Sequence, residues 1–334
     1  MKKKNKAIYL LFLMPFVYFA TACFVVWLVK TSGIYPSGSD TMYHVYRGDY
    51  VYNAIKSGNW YPLYDPAWYN GVEILRYWSP FPAYVMAFCQ YLAGGSQFGA
   101  YLFYIGGVCF LGACVWPFIG RGFNRPYLGA FIGLLWFFIP NNLCAIFIEG
   151  NLARSLSMIF LPVFIYSVYK YLYNHKLRYI PLMVFTFLLM ELCHLGYAGM
   201  VAIAVIIYGI VYIIQKGRKK AVLDVVISMI FGFMLLGIWL VASLRGGITS
   251  LDNSENMANF FQNLWITINP FERLTRGFEY FYFGFATLVV IVFGILFGYK
   301  KSRTGFVTGF IILLMTTKSA YAVLKHLPGS QYLW

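Results

Sequence analysis

Asp40, His44 and Arg47 place a carboxylate, an imidazole and a guanidinium on one face of any helix that starts near Thr41. At 100° per residue, His44 and Arg47 fall within about 40° of Asp40, while Asp49 falls on the opposite side. A carboxylate can accept the proton of an attacking hydroxyl, cations can hold a departing phosphate, and a phosphate leaving group needs no general acid. The face therefore suits group transfer from a phosphorylated lipid, with Asp40 as base and Arg47 on the phosphate. The plainer reading of Asp40 is a helix cap satisfying backbone N–H groups. For His44 the choice is between an orienting partner for Asp40 or substrate and a buried structural histidine.

Two more arginines fit the phosphate role, Arg76 in Leu75-Arg76-Tyr77-Trp78 and Arg154 in Glu149-Gly150-Asn151-Leu152-Ala153-Arg154. Guanidinium pairs phosphate oxygens two at a time, although either residue could equally form a salt bridge or lie along a membrane surface. Glu149 could join Asp40 in holding a divalent cation or could hydrogen-bond the acceptor. A metal site would want more oxygen ligands than the sequence supplies there, so the metal ligands stay unassigned. Glu191 and His194 are one helical turn apart and read either as the lining of a recess or as a buried hydrogen-bonded pair.

The elements that must carry these residues are membrane helices. The chain of 334 residues is 60% hydrophobic and 11% charged, with repeated apolar runs of about 20 residues, enough to cross a bilayer. Those runs lack the two-residue alternation of barrel strands, so the class is all-α, a polytopic transmembrane helical bundle. The six cysteines show no zinc or redox spacing. The lysines at the amino terminus lead into an apolar run at 7–29 with no convincing cleavage site, which predicts a retained first helix.

The expected spans are about nine: 7–29, 97–119, 127–148, 155–173, 179–193, 196–214, 221–244, 278–298 and 304–324. With the amino terminus cytoplasmic, the short inner hinges hold Arg121 and Arg125, Lys176 and Arg178, Lys216 to Lys220, and Lys300 to Arg303, as the positive-inside rule asks. The net charge of +15 thus orients helices, and nucleic acid is not the expected partner. The same threading puts ten of the eleven acids on or near the outer side, with only Asp224 inside. Acids are weak topology determinants, so their segregation bears on function, unless long outer loops simply hold more polar residues.

The chain reads as a single transmembrane domain, 1–334, with two long outer loops, 31–95 and 245–277. The first has sixteen aromatic residues among 65, yet no run long enough to span. Amphipathic rings favour the headgroup layer, so this loop is expected to hold amphipathic helices lying on the membrane, one of them over 41–57 with Ser39 or Asp40 as its cap and Gly58 as its stop. The last residues, Lys325 to Trp334, read as an outer loop entering a further segment, so the chain is expected to be a carboxyl-terminal truncation of a longer one.

The run Ser39-Asp40-Thr41-Met42-Tyr43-His44-Val45-Tyr46-Arg47, followed by Gly58-Asn59-Trp60-Tyr61-Pro62, resembles the acid-bearing first outer loop of the GT-C superfamily of membrane glycosyltransferases. More closely, Trp60-Tyr61-Pro62, Asp65-Pro66-Ala67-Trp68-Tyr69-Asn70-Gly71 and Arg76-Tyr77-Trp78-Ser79-Pro80 resemble the bacterial membrane proteins called 6-pyruvoyl-tetrahydropterin synthase-related. The GT-C resemblance implies a membrane glycosyltransferase that takes sugar from a polyprenyl-phosphate-linked donor, with Asp40 as the catalytic base. By that resemblance Glu149 would match a second acidic position after the third span, while the chemistry of the residues themselves adds His44, Arg47, Arg76, Arg154 and His194 as expected substrate-binding groups. The Asp-x-Asp pair of oligosaccharyltransferase is absent, which removes support for a metal and for that particular reaction. The alternatives are a transporter or flippase of lipid-linked saccharide and a non-catalytic protein of envelope polysaccharide assembly. The location expected under each is the cell membrane.

Overall fold

Backbone amides surrounded by hydrocarbon must pair within their own segment, and this chain meets that demand with helices. The computed structural model describes residues 2–36, 38–68, 70–245 and 285–326. The expected second outer loop after Arg245, with Asp252, Glu255 and Glu272, lies outside the described residues, as do Glu279 and the tail from 327. An isolated bridge pairs Asp65 with Val72.

The helices are α1 Lys2–Ser32, α2 Thr41–Lys56, α3 Ile74–Tyr77, α4 Phe81–Leu92, α5 Gln97–Gly122, α6 Pro126–Leu135 and α7 Pro140–Leu143. After a π-helical turn at Cys144–Ile148 come α8 Leu152–Asn174, α9 Tyr179–Cys193, α10 Leu195–Lys216, α11 Lys219–Leu235, α12 Gly237–Arg245, α13 Phe285–Met315 and α14 Lys318–Leu324. Among the described residues four helical stretches are long and apolar enough to cross a membrane: Phe12–Ser32, Gln97–Gly122, Leu152–Asn174 and Leu195–Lys216. Two bent pairs raise the number to six, Pro126–Phe138 with Pro140–Ile148 at 43° and Lys219–Leu235 with Gly237–Ser243 at 63°.

The nine expected crossings are therefore not matched one for one. The fifth is a helix of 15 residues, spanning about 22 Å, short of a hydrocarbon core. The third is broken at Pro140, which brings no N–H to the turn before it. The last two are joined as α13, which departs from helical dihedrals at Ser302. A Cβ on Gly294 would stand 3.4 Å from the Phe306 ring, whereas twelve residues of straight helix rise about 18 Å. The chain must therefore turn back at Ser302, within the basic hinge.

The described chain forms two compact units. The first comprises residues 1–138, 142–195 and 228–247. Within it α5 is central, packing on α1, α4, α6 and α8, while α8 packs on α9 and α2 on α4. The turn between α5 and α6 closes tightly because Gly120 and Gly129 meet backbone to backbone, a Cβ on Gly120 falling 2.7 Å from the Gly129 Cα. The second unit comprises residues 139–141, 196–227 and 248–334.

The expected interfacial helix over 41–57 is α2, ending at Gly58, whose φ of +87° suits a residue without a side chain. Val51 of α2 joins Ile74, Leu75, Ala83 and Ala87 in a small buried cluster that binds the loop helices to one another. That packing fixes the α2 face on which Asp40, His44 and Arg47 sit.

Candidate functional site

Asp40 occupies the cap position of α2, yet its side chain makes no capping hydrogen bond. Its backbone N–H donates instead to the Glu149 carbonyl at 3.0 Å. The Ser39 hydroxyl lies 3.0 Å from that same carbonyl and 3.2 Å from Asp40 Oδ1. Two glycines make this approach feasible: a Cβ on Gly38 would lie 2.6 Å from the Gly150 nitrogen, and one on Gly150 would lie 2.6 Å from the Thr41 nitrogen. Gly150 also has φ +66°, in the left-handed region. The entry to α2 is thus docked, backbone to backbone, on the turn that opens α8.

That turn carries an ion pair. Arg154 meets the Glu149 carboxylate with both terminal nitrogens, at 2.7 and 2.8 Å, and both side chains are about four-fifths buried (18% and 22% exposed). Asn151 caps α8 by accepting from the Arg154 backbone N–H at 2.9 Å, and its side-chain nitrogen lies 3.4 Å from His194 Nε2. Arg154 Nε is buried with no hydrogen-bond partner among the described residues. Burial and the nearby Arg154 charge hold the His194 imidazole below its usual pKa, while the Asp40 charge pulls it the other way. Asp40, Glu149, Arg154 and His194, drawn from three separate stretches of chain, are therefore brought together.

His44 and Arg47 stand beside this group. Burial first, then the charges of Arg47 and His194, push the His44 pKa down to about 3, so its imidazole is neutral at pH 7. Arg47 is only 2% exposed. Its guanidinium lies 5.4 Å from the ring centres of both Tyr43 and Trp78, in the manner of cation–π contacts. It also lies 3.4 Å from the carbonyls of Trp78 and Ser79, and no carboxylate pairs with it among the described residues. Burial lowers its pKa to about 10, still well above neutrality. Arg47 is thus enclosed by two rings and two backbone carbonyls.

The remaining acids of the first loop have structural commitments. Asp65 is buried and accepts from the Tyr46 hydroxyl at 2.6 Å and the Ala67 N–H at 2.9 Å. Asp49 accepts from the Gln90 amide at 2.6 Å. Glu73 pairs with Arg76, whose Nε donates to the Ala242 carbonyl at 2.9 Å, and Trp239 donates to the Leu75 carbonyl at 2.7 Å. Arg76 is thereby committed to fastening α3 to α12. Glu191 is 1% exposed, its Oε2 has no partner among the described residues, and its backbone carbonyl accepts from Ser79.

A divalent cation at Asp40 and Glu149 is poorly served by these residues. Among the described residues no three His, Cys, Asp or Glu side chains gather as metal ligands, and both Glu149 oxygens already face Arg154. Sequence reasoning named Ser39 only as a helix cap and passed over Gly38, Gly150 and Asn151. Only Asn151 carried a local signal, an N-cap side chain directly ahead of an apolar run.

Residues 75–334 match the family described as 6-pyruvoyl-tetrahydropterin synthase related domain; membrane protein. That stretch holds Glu149, Arg154 and His194 and begins after Asp40. No curated protein and no solved structure matches the chain.

Proposed function

The chain belongs to the 6-pyruvoyl-tetrahydropterin synthase-related family of membrane proteins, and from that premise we propose that it is a membrane glycosyltransferase drawing on a polyprenyl-phosphate-linked sugar. One observation carries the reading: Asp40, alone among the described acids of the first loop, keeps a carboxylate whose only hydrogen bond among the described residues comes from the adjacent Ser39 hydroxyl, and its charge and that of Arg154 both act on the His194 imidazole. In the reaction the acceptor oxygen attacks the anomeric carbon and its proton passes to Asp40. The bond from that carbon to the phosphate oxygen breaks, and the electron pair leaves with the lipid phosphate. Arg154 stands where it can balance the charge, with Nε as an unused donor.

His44, uncharged at pH 7, and His194 offer hydrogen bonds to the sugar or acceptor without adding cations. Arg47 acts through Tyr43 and Trp78, which it braces. The acid segregation and basic hinges support a cell-membrane location with the amino terminus cytoplasmic and the site on the outer face. A second reading, a carrier for lipid-linked saccharide, draws on the buried Glu191, since ionisable groups within membrane helices often mark a transport path.

The test incubates the purified protein with a panel of lipid-phosphate sugars and scores release of lipid phosphate. Asp40→Asn is expected to cut release by about 100-fold or more while leaving thermal unfolding unchanged. Full release by that variant would remove the base assignment. Movement of lipid-linked sugar across sealed vesicles with no lipid phosphate released would replace transfer by transport.

A further inference from the structure

The second unit gathers positive charge from two distant stretches of chain at one end. The turn from α10 to α11 presents Lys216, Arg218, Lys219 and Lys220, all exposed, and it closes on Gly217, which adopts φ +70° and donates to the Ile213 carbonyl at 2.7 Å. The reversal in α13 presents Lys300, Lys301 and Arg303, also exposed. The two turns are joined by a hydrogen bond of 2.7 Å from the Thr304 hydroxyl, itself only 3% exposed, to the Gln215 side-chain oxygen. Each bonded residue immediately adjoins a cation, Lys216 on one side and Arg303 on the other. Seven basic residues therefore share one end of the unit, and Asp224 is the sole acid among the unit's described residues.

Orientation of helices in a membrane needs basic residues on each short loop, but it does not need two loops whose bonded residues, Gln215 and Thr304, are 89 residues apart to be fastened together. Like charges brought together repel, so a partly buried hydrogen bond that holds them together makes this end a favourable place for an anion. The neighbouring helices are apolar: Leu195–Lys216 is long and hydrophobic enough to cross a bilayer. The anion most available at such a place carries its own acyl chains. We infer that this end of the second unit binds the phosphate headgroup of anionic phospholipid, the two turns acting as one clamp. Lysines and arginines at the ends of membrane helices attract acidic headgroups in this way. The inference does not depend on the proposed transfer reaction.

The full chain is reconstituted in nanodiscs of zwitterionic phosphatidylcholine with a minority of phosphatidylglycerol, then extracted, and the lipid retained by the protein is measured by mass spectrometry. The wild type is expected to retain phosphatidylglycerol at roughly tenfold enrichment over its share of the bilayer. The quadruple variant Lys216→Gln, Lys219→Gln, Lys300→Gln, Lys301→Gln is expected to lose that enrichment. A charge-matched variant, Lys30→Gln, Lys56→Gln, Lys176→Gln, Lys318→Gln, is expected to keep it.

Should the wild type show no enrichment, or should both variants lose it equally, the clamp is overturned. A second measurement needs no variant. A photoreactive phosphatidylglycerol analogue in wild-type nanodiscs is expected to label peptides spanning 215–220 and 299–304, and labelling confined to other peptides would overturn the site. Retention of short nucleic acid by the detergent-solubilised protein in preference to phosphatidylglycerol would also count against a lipid clamp.

Discussion

Two acid–arginine pairs sit in the first unit, and they are committed to different ends. Glu73 and Arg76 lie three residues apart at α3, both partly exposed (38% and 29%), and Arg76 spends its remaining Nε on the Ala242 carbonyl. Glu149 and Arg154 lie about four-fifths buried across the turn into α8, and Arg154 Nε keeps no partner among the described residues. The first pair is a fastening between α3 and α12. The second is fastened by both terminal nitrogens and still retains a donor, and its arginine acts on His194 together with Asp40. Residue types alone would rank the pairs equally, so the difference lies in what each group has left to offer.

The largest effect is expected at the contact that makes the second pair special. Gly150→Val places a side chain against the Thr41 nitrogen at a backbone of φ +66°, a conformation that costs a β-branched residue about 1–3 kcal/mol even before the clash. Release of lipid phosphate should fall at least as far as with Asp40→Asn, and proteolysis should reach residues 33–40 sooner. A variant that transfers normally would show that the docked turn is not what positions Asp40.

Next come paired substitutions of the arginines. Arg154→Lys loses the two-pronged contact with Glu149, and transfer is expected to fall by roughly tenfold. Arg76→Lys, measured in the same assay, is expected to leave transfer unchanged. Equal losses at the two positions would erase the contrast between the pairs.

A smaller effect concerns acid stability. His44 binds its proton less readily folded, with a pKa of about 3, than unfolded, at 6.5. The group has no effect on stability above 6.5, where it is neutral in both states. Below that, the unfolded chain takes up a proton that the folded chain does not, so stability falls as pH drops from 6.5 towards 3. Thermal unfolding of the wild type and His44→Gln across that range should show the variant less acid-sensitive, and parallel curves would mean that the imidazole is not held neutral. The smallest effect is expected at Glu73→Gln, where an exposed pair is loosened. Its unfolding midpoint should stay within experimental error of the wild type.

The periodic and compositional features were legible in the chain. Apolar runs placed α1, α5, α8 and α10, because a helix is the only open segment that satisfies its own backbone in lipid. A cap residue and a glycine stop bracketed α2 within one residue of Thr41–Lys56. The basic hinge at 300–303 marked the reversal that α13 makes at Ser302. Bends were less legible: the break after Phe138 falls within the expected span 127–148 in spite of Pro140, and the one after Leu235 falls within the expected span 221–244.

The sequence by itself determined that this protein is helical, belongs in a membrane and brings a carboxylate to the start of a loop helix, since length, hydropathy and capping are local properties carried by neighbouring residues. Only the tertiary structure decided that Asp40 is free of capping, that Arg47 is enclosed by rings, and that Arg154 and Asp40 both act on His194. Each of those depends on contacts between residues far apart in the chain, such as the Asp40 N–H with the Glu149 carbonyl. No local pattern encodes which distant backbone two glycines will admit.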